Sequence, residues 1–141
     1  MSIEFTIPGR AVPKGRPRMT KTGKVYTPAE TQKYEYKVMD CFMSAFPNFE
    51  KYTQPLWVRI CESRAMPTSW SAKMKQKMWG EPCGTRPDLD NVMKSVLDGL
   101  NGIAFRDDNQ IASLHGEKRW DYDNSVTVII QPIDEEGRNY E

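Results

Sequence analysis

The sequence has few of the residues that several common functional classes require. Three cysteines and a single histidine, His115, occur among its 141 residues. An odd number of widely spaced cysteines without a Cys-x-x-Cys pair fits neither a disulfide framework nor a zinc ribbon. With one histidine, zinc-dependent and histidine-base chemistry are also excluded, and we interpret His115 as a hydrogen-bonded structural residue.

Long apolar runs are absent as well. The sequence has no stretch of about 18 apolar residues, which excludes a transmembrane helix. Its first residues have neither the basic region nor the apolar segment of a signal peptide. We therefore expect a cytoplasmic protein with no membrane partner. The length is typical of one domain, and we expect residues 1–141 to form it, with an acidic tail within about residues 121–141.

The net charge of +1 conceals a strong asymmetry. Residues 1–37 carry a net charge of +5, whereas residues 121–141 carry −5. Between Phe5 and Ala29 there are six cations and no acid. Such a block attracts a polyanion whatever the overall charge, and its alternative interpretation is a solvated basic loop.

Hydrophobic periodicity divides the chain into strands and helices. Alternating apolar residues predict four strands, over residues 2–8, 56–62, 111–120 and 125–131. Helical spacing predicts two long helices, over residues 28–45 and 90–101. Turn residues between the last two strands predict a hairpin. The order of elements indicates an α/β (α+β) fold in which helices pack on one mixed or antiparallel sheet.

The remaining segments are expected to be loops and one short helix. Residues 9–23 and 82–87 are rich in Gly and Pro, which is typical of loops. Residues 66–80 begin with a proline and a cap and end at a glycine, which predicts a short helix. Its lysines alternate with Met and Trp side chains, so it either packs on the body of the protein or faces nucleic acid.

The most informative stretch lies around the start of the second long helix. Asp88 and Asp90 are two residues apart, so in extended backbone their side chains project from one face. Lys94 lies one helical turn beyond Asp90. Asp107 and Asp108 follow the helix after a tight link, and a returning chain would bring Asp108 towards Asp88 and Asp90. Three carboxylates with few nitrogen or sulfur ligands nearby suit Mg²⁺ or Mn²⁺.

These acidic residues also have a purely structural interpretation. Asp90 alone is a suitable helix N-cap, Asp90 with Lys94 is an ordinary helix ion pair, and residues 107–109 are a typical polar turn. However, the carboxylates outnumber what one cap needs, and the basic block implies a phosphate-rich partner. These two observations favour the metal-site interpretation.

The same residues resemble the signature of the RusA family of Holliday-junction resolvases, which are crossover-junction endodeoxyribonucleases. The similar stretches are Asp88-Leu-Asp90-Asn91 with Lys94, then Asp107-Asp108-x-Gln110-Ile111, and then Lys118. The broader group has N-terminal segments similar to Ile7-Pro-Gly9, Pro13-Lys-Gly-Arg16-Pro-Arg18 and Tyr26-Thr-Pro28. The family members closest to the enterobacterial resolvase have a basic residue directly before the first aspartate, whereas this sequence has Pro87 there and Arg86 one position earlier.

The resemblance implies a complete set of site residues and partners. Asp88, Asp90 and Asp108 would bind the metal and Lys94 would be the catalytic lysine, with less weight on Asp107. The implied cofactor is Mg²⁺, with Mn²⁺ as a substitute, and we expect no organic cofactor. The implied partners are four-way junction DNA and a second copy in a homodimer, with a bacterial or phage gene. Independently of the resemblance, the basic block predicts DNA contacts at Lys14, Arg16, Arg18, Lys21 and Lys24, to which we add Arg86, Lys118 and Arg119 as candidates.

We therefore predict a metal-dependent, structure-selective endodeoxyribonuclease that resolves Holliday junctions in DNA recombination and repair. Two symmetric cuts require two sites, which a two-fold dimer supplies. The helix face with Val96, Leu97 and Leu100 is either the interface of that dimer or core. Two other functions stay open: a non-catalytic DNA-binding protein, and a metal-dependent endonuclease for flaps or other branched DNA.

Overall fold

Helices cover one face of a four-stranded sheet in the computed structural model, which describes residues 1–133. In chain order the elements are β1 (Ile3–Pro8), β2 (Arg18–Met19), β3 (Val25–Tyr26), α1 (Ala29–Ala45), β4 (Leu56–Ala65), α2 (Ala72–Met78), α3 (Leu89–Leu100), β5 (Ile111–Asp121) and β6 (Ser125–Pro132). A short 3₁₀ turn, Asp108–Gln110, precedes β5. The predicted long helices and main strands are confirmed, with ends that differ by at most three residues.

The central strand of the sheet is β4. The strand order is β1-β6-β4-β5, with β4 parallel to β5 and antiparallel to β6. Leu56, Val58 and Ile60 are fully buried, as expected for a strand with neighbours on both edges and helices above it. Parallel and antiparallel pairs together make the sheet mixed, so the predicted α+β fold class is confirmed.

The predicted hairpin between the last two strands is wrong. β4 lies between β5 and β6, and residues 122–124 cross over the end of β4 instead of joining two paired strands. The side chain of Asn124 accepts a hydrogen bond from Ala65 N at 2.8 Å, and Asp121 O accepts one from Met66 N at 2.9 Å. Burial explains this order. β4 has a largely apolar first half, and a central strand exposes less apolar surface to water than an edge strand does.

α1 and α3 form the helix layer and pack directly on each other. They share one core with the inward faces of β1, β4 and β6, and this core includes Phe5, Ile7, Val38, Phe42, Val92 and Val128. Val96, Leu97 and Leu100 also lie in this core, so their face is core and is excluded as a dimer interface. At Gly99 the helices come so close that an added Cβ would lie 2.9 Å from Glu35 O.

The basic segment contains a small ribbon within and just after the predicted loop over residues 9–23. β2 and β3 pair antiparallel, with Arg18 opposite Tyr26. Gly23, in the turn between them, has a φ of +86°, which glycine adopts without strain. Strands of two residues give no measurable alternation, which is why periodicity predicts a loop here.

α2 is shorter than the predicted helix over residues 66–80 and lies on the surface. Ser71 caps its first turn. Trp70 and Met78 pack on a small cluster around Trp120, so the packing interpretation accounts for these two side chains. The lysines at positions 73 and 77 are exposed and leave the nucleic-acid interpretation open.

Within the described residues, no helix is both long and apolar enough to cross a membrane. Residues 121–133 of the expected acidic tail belong to the end of β5, the crossover, β6 and the residue that follows it. The other residues of that tail, 134–141, lie outside the described residues.

Candidate active site

The acidic motif lies at the start of α3. Asp88 is the residue before the first helical turn and has extended backbone, and Asp90 lies within that turn. Both are exposed, and the Asp88 side chain makes no capping hydrogen bond. Among the ion pairs of residues 1–133, none involves Asp88, Asp90 or Lys94. The N-cap and ion-pair interpretations of Asp90 therefore fail, and both carboxylates are free for other contacts.

Lys118 fixes the segment that carries Asp88. Its ammonium group donates hydrogen bonds to Thr85 O and, at 2.7 Å, to Pro87 O. The sequence predicts Lys118 as a DNA contact, whereas its ammonium group binds the backbone directly before Asp88. Lys118 is therefore a positioning residue for the acidic motif.

The basic segment is attached directly to both long helices. Lys14 N donates to Asn91 O of α3 at 2.8 Å. The Lys14 ammonium group forms ion pairs with Glu35 of α1 at 2.8 Å and Asp98 of α3 at 2.9 Å. Its charge is therefore compensated within the fold, which differs from the free DNA contact that the sequence predicts.

A groove of about 570 Å³ joins the basic segment to the acidic motif. Its lining includes Arg10, Lys14, Arg86, Asp88 and Asn91. Arg86 and Asp88 are both exposed, so the groove presents both a guanidinium group and a carboxylate. The structure thus brings Arg86, Asp88 and the start of the basic segment onto one concave surface.

Four of the predicted DNA contacts lie on or beside the β2–β3 ribbon. They are Arg16, Arg18, Lys21 and Lys24, and all four are exposed. In the part of the chain that the structure describes, none of them forms an ion pair. Their charge is therefore available to an anionic partner.

Asp107 and Asp108 lie at the opposite end of α3. Asp107 caps the 3₁₀ turn by accepting a hydrogen bond from Asn109 N at 3.1 Å, so the polar-turn interpretation is confirmed for this residue. That hydrogen bond lowers the pKa of Asp107. A hydrogen bond with Asp107, slight burial and the negative charges of Asp107 and Asp98 raise the pKa of Asp108.

The three aspartates expected to share a metal do not meet within one chain. The side chain of Gln110 donates a 3.0 Å hydrogen bond to the backbone just before β4, which keeps Asp108 there. Lys118, which lies opposite Glu62 of β4, binds the backbone directly before Asp88 and so keeps Asp88 near the other end of β4. Among residues 1–133, no group of three or more His, Cys, Asp or Glu side chains is close enough to hold a metal ion. The donor chemistry suits Mg²⁺, but the expected return of Asp108 towards Asp88 and Asp90 is wrong for the single chain.

Two other polar residues of β5 have structural partners. Arg119 donates to Glu117 at 2.6 Å and to Gly80 O at 2.9 Å, so this candidate DNA contact holds the segment after α2. His115 hydrogen-bonds with Ser113 Oγ at 3.0 Å, which confirms its structural interpretation.

Sequence reasoning missed the residues that hold the basic segment in place. Ser95 is fully buried, and its hydroxyl donates to Val12 O at 2.7 Å. Thr31 Oγ1 accepts a hydrogen bond from Gly15 N at 3.0 Å. A signal for Ser95 exists in the sequence, because it is a polar residue within the apolar stripe of α3.

Comparisons with known proteins give the family of the chain. The family model described as endodeoxyribonuclease RusA matches residues 8–131. YqaN of Bacillus subtilis (strain 168), an uncharacterized protein, is 33% identical over 138 residues, which are 93% of this chain and 96% of YqaN. The crossover junction endodeoxyribonuclease rusA of Lactococcus phage r1t is 33% identical over 67 residues, which are 47% of this chain and 51% of the phage protein. The chain belongs to the RusA endodeoxyribonuclease family.

Proposed function

We propose that this protein resolves four-way DNA junctions by paired symmetric hydrolysis of phosphodiester bonds, in DNA recombination and repair. The observation that carries the proposal is the pair of exposed carboxylates at the start of α3, Asp88 and Asp90. Asp88 lines a groove that the start of the basic segment also lines. Family membership gives the reaction class, an endodeoxyribonuclease. The name of the phage relative, a crossover junction nuclease, supports junction DNA as the substrate.

The proposed DNA contacts are the exposed cations around the groove and the ribbon. They are Arg16, Arg18, Lys21, Lys24 and Arg86. Contacts of this type bind phosphates and fix the position of the protein without reading base sequence. Lys14, Lys118 and Arg119 hold the segments that carry these groups, and they act on DNA indirectly.

Lys94 is the proposed catalytic lysine. Hydrolysis of a phosphodiester builds negative charge on the phosphoryl oxygens and on the leaving oxygen. The ammonium group of Lys94 is exposed, one turn from Asp90, and free of ion pairs within the described residues. A cation in this place stabilises that charge in the transition state more than in the bound substrate.

The proposed cofactor is a divalent cation, Mg²⁺ with Mn²⁺ as a substitute, and no organic cofactor is proposed. Carboxylate oxygens are the ligands that these cations prefer. Asp88 and Asp90 supply them at the start of α3, whereas Asp108 lies apart from them within one chain. A homodimer is also proposed, because a junction is resolved by two symmetric cuts and one chain supplies one acidic motif.

Cleavage of synthetic DNA tests the proposal. The purified protein is incubated with a mobile four-way junction, a flap and a linear duplex, each with Mg²⁺, Mn²⁺ or EDTA. We expect paired symmetric nicks in the junction with either metal and none with EDTA. Asp90→Asn keeps the shape of the side chain and removes its charge, so cleavage should fall by at least about 100-fold. Asp40→Asn, at an exposed position on α1, is the matched control and should cut normally.

The other outcomes identify the alternative functions. Equal cleavage of flap and junction would replace the resolvase with an endonuclease for branched DNA. Tight junction binding without cleavage in either metal would favour a non-catalytic DNA-binding protein. An Asp90→Asn variant that cuts at the rate of the unsubstituted protein would remove this residue from the site.

A further inference from the structure

The β2–β3 ribbon carries exposed apolar side chains that the proposed phosphate contacts do not use. Met19 is 69% exposed and Val25 is 60% exposed. One exposed apolar side chain is common on a protein surface, but these two belong to a ribbon whose strands have only two residues each. They also lie between Phe5 and Ala29, where the chain has six cations and no acid. Phosphate binding accounts for the cations of this segment and leaves the apolar side chains unexplained.

Strand register places both apolar side chains on one face of the ribbon. Met19 lies opposite Val25, and Arg18 lies opposite Tyr26. Residues directly opposite each other in an antiparallel pair project from the same face, with Cβ atoms about 5 Å apart, and the next pair projects from the other face. Met19 and Val25 therefore form one apolar pair, and Arg18 projects from the opposite face.

Hydrogen bonds hold the turn that follows the apolar pair. Thr20 N donates to Lys24 O at 2.8 Å, and Thr20 O accepts a hydrogen bond from Gly23 N at 2.9 Å. The hydroxyl oxygen of Thr20 accepts a further one from Lys24 N at 3.0 Å. An ordered turn has less conformational freedom to lose when it binds a partner. The ribbon therefore presents the apolar pair in a preformed arrangement.

The charge around the apolar pair indicates its partner. Arg18, Lys21 and Lys24 are exposed, and within the described residues none of them forms an ion pair. DNA is a polyanion that compensates such cations, and its bases also offer apolar faces. In a duplex these faces are stacked, so an apolar side chain reaches them by opening a base step, as inserted Met and Leu side chains do in architectural DNA-binding proteins.

The centre of a four-way junction is the place where such an insertion costs least. Opening a base step costs stacking free energy. In the open form of a junction, each base pair at the centre is stacked on one side only, so an inserted side chain breaks less stacking there than within an arm. The same apolar pair would therefore bind the centre of a junction better than a linear duplex.

The attachment of the ribbon keeps the apolar pair near the acidic motif. Lys14 N donates to Asn91 O of α3 at 2.8 Å. Met19 follows Lys14 by five residues, which span at most about 18 Å. Since DNA rises about 3.4 Å per base pair, this length corresponds to about five base pairs. With the apolar pair at the centre of a junction, the acidic motif stays within a few nucleotides of the branch point.

We propose that Met19 and Val25 form a wedge that inserts among the bases at the centre of a four-way junction and so distinguishes branched from linear DNA. This inference rests on the proposed nuclease function and adds the residues that select the substrate. The cations of the ribbon bind the phosphates of any DNA, whereas the wedge gains contact only where bases are easily unstacked.

The fluorescence of 2-aminopurine tests the wedge without cleavage. This base analogue is placed at the centre of an immobile four-way junction, and the protein is added in EDTA to prevent metal-dependent cutting. The fluorescence of 2-aminopurine rises when its stacking is lost. Binding should therefore raise it at the centre and leave it unchanged in the middle of an arm. An unchanged signal at the centre would overturn the proposal.

A polar variant tests the two side chains themselves. Met19→Gln with Val25→Thr removes the apolar character and keeps the charge and approximate size. This variant should lose most of the fluorescence rise, and its preference for junction over duplex in anisotropy competition should fall at least about tenfold. Its duplex affinity and salt dependence should stay unchanged, because the phosphate contacts remain. An undiminished rise, or an equal loss of affinity for junction and duplex, would contradict the wedge.

Two further variants are the matched controls. Met19→Leu with Val25→Ile keeps the apolar character and should keep the fluorescence rise. Met43→Gln removes an apolar side chain that is 52% exposed on α1, and it should behave like the unsubstituted protein. Loss of the rise in either variant would refute the proposal.

A second copy of the chain is the competing occupant of the apolar pair. Sedimentation velocity of the free protein identifies it, since a contact between copies would weaken in the Met19→Gln, Val25→Thr variant. We expect unchanged sedimentation, and a shift towards a smaller species would overturn the wedge.

The wedge and the nuclease function fail separately. A protein that raises the fluorescence at the centre but cuts no DNA with Mg²⁺ or Mn²⁺ would refute the nuclease function and leave the wedge standing. A protein that cuts junctions without raising the fluorescence would refute the wedge alone.

Discussion

The Glu117 carboxylate accepts hydrogen bonds from three residues on the face of the sheet that points away from α3. Arg59 donates two hydrogen bonds to it, Arg119 donates one at 2.6 Å, and the thiol of Cys61 donates one at 3.0 Å. The hydrogen bonds from Cys61 and Arg59 lower the pKa of Glu117 from 4.5 to about 2. Because the folded protein favours the ionised carboxylate, this group stabilises the fold above pH 4.5, and the stabilisation is lost as the pH falls towards 2.

Replacing this carboxylate should therefore destabilise the protein in a pH-dependent way. We expect Glu117→Gln to lower the free energy of unfolding by about 1 kcal/mol at pH 7, with most of the difference gone near pH 2. Urea denaturation at a series of pH values measures it. Glu4→Gln, at an exposed position on β1, should change stability little at any pH. An equal loss at pH 7 and pH 2 would mean that the charge of Glu117 contributes nothing.

Local chemistry predicts single residues well when their partners are close in sequence. The Asp107 cap and the hydrogen bond between His115 and Ser113 depend on neighbours within two residues, and both are predictable. The ion-pair partners of Lys14 are 21 and 84 positions away. The sequence therefore predicts an unpaired charge at Lys14, although the fold pairs it with two carboxylates.

The packing of α1 on α3 depends on the missing side chain at Gly99. An added Cβ would lie 2.9 Å from both Glu35 O and Val38 Cβ, and neither atom can move without moving α1. Alanine favours a helix by about 1 kcal/mol over glycine, but this steric cost should exceed that gain. We expect Gly99→Ala to lower the free energy of unfolding by about 1–2 kcal/mol and the melting temperature by about 3–8 °C.

A second glycine provides the control for this measurement. A Cβ at Gly116 would meet the sulfur and methyl group of Met93, which belong to a flexible side chain that can turn away. Gly116→Ala should therefore cost less than Gly99→Ala in calorimetry. A larger loss at Gly116 would show that the helix contact at Gly99 is not the limiting one.

Elements with their own periodicity were predictable, whereas their pairing was not. α3 has its apolar stripe and its stop signal within residues 89–102, so its ends were predicted within one residue. The turn signal at residues 122–124 is real, but a turn does not specify which strands it joins. β4 lies between β5 and β6 in the sheet, although it comes more than 50 residues before the turn in the sequence. No local sequence pattern around the turn predicts this position.

At the scale of the whole molecule, the exposed cations of the basic segment continue from the groove that Asp88 lines. The groove at Asp88 joins the segment that carries Arg16 and Arg18, and this should make DNA affinity depend strongly on salt. Each phosphate contact on duplex DNA contributes about 0.9 to the slope of log affinity against log salt. We expect Arg16→Ala with Arg18→Ala to reduce that slope by about 1.8, as measured by fluorescence anisotropy from low to moderate salt.

The lysines of α2 serve as the comparison for this measurement. Lys73→Ala with Lys77→Ala removes the same charge from another exposed element. An unchanged slope for this pair would restrict DNA contact to the ribbon, and a reduced slope would extend the contact to α2. An unchanged slope after the two arginine substitutions would remove the ribbon from the DNA interface.

The pairing of β1 with β6 has a consequence for how the protein is made. Ile3 lies opposite Ile130, so β1 must wait for β6, which is synthesised 127 residues later. At about 5–20 residues per second this wait lasts roughly 6–25 s, and pairing of such distant segments is itself slow. β4 also waits, because both of its neighbours are synthesised after it. The nascent chain therefore spends most of its synthesis with apolar strands unpaired, and we expect its yield to fall where chaperones are limiting.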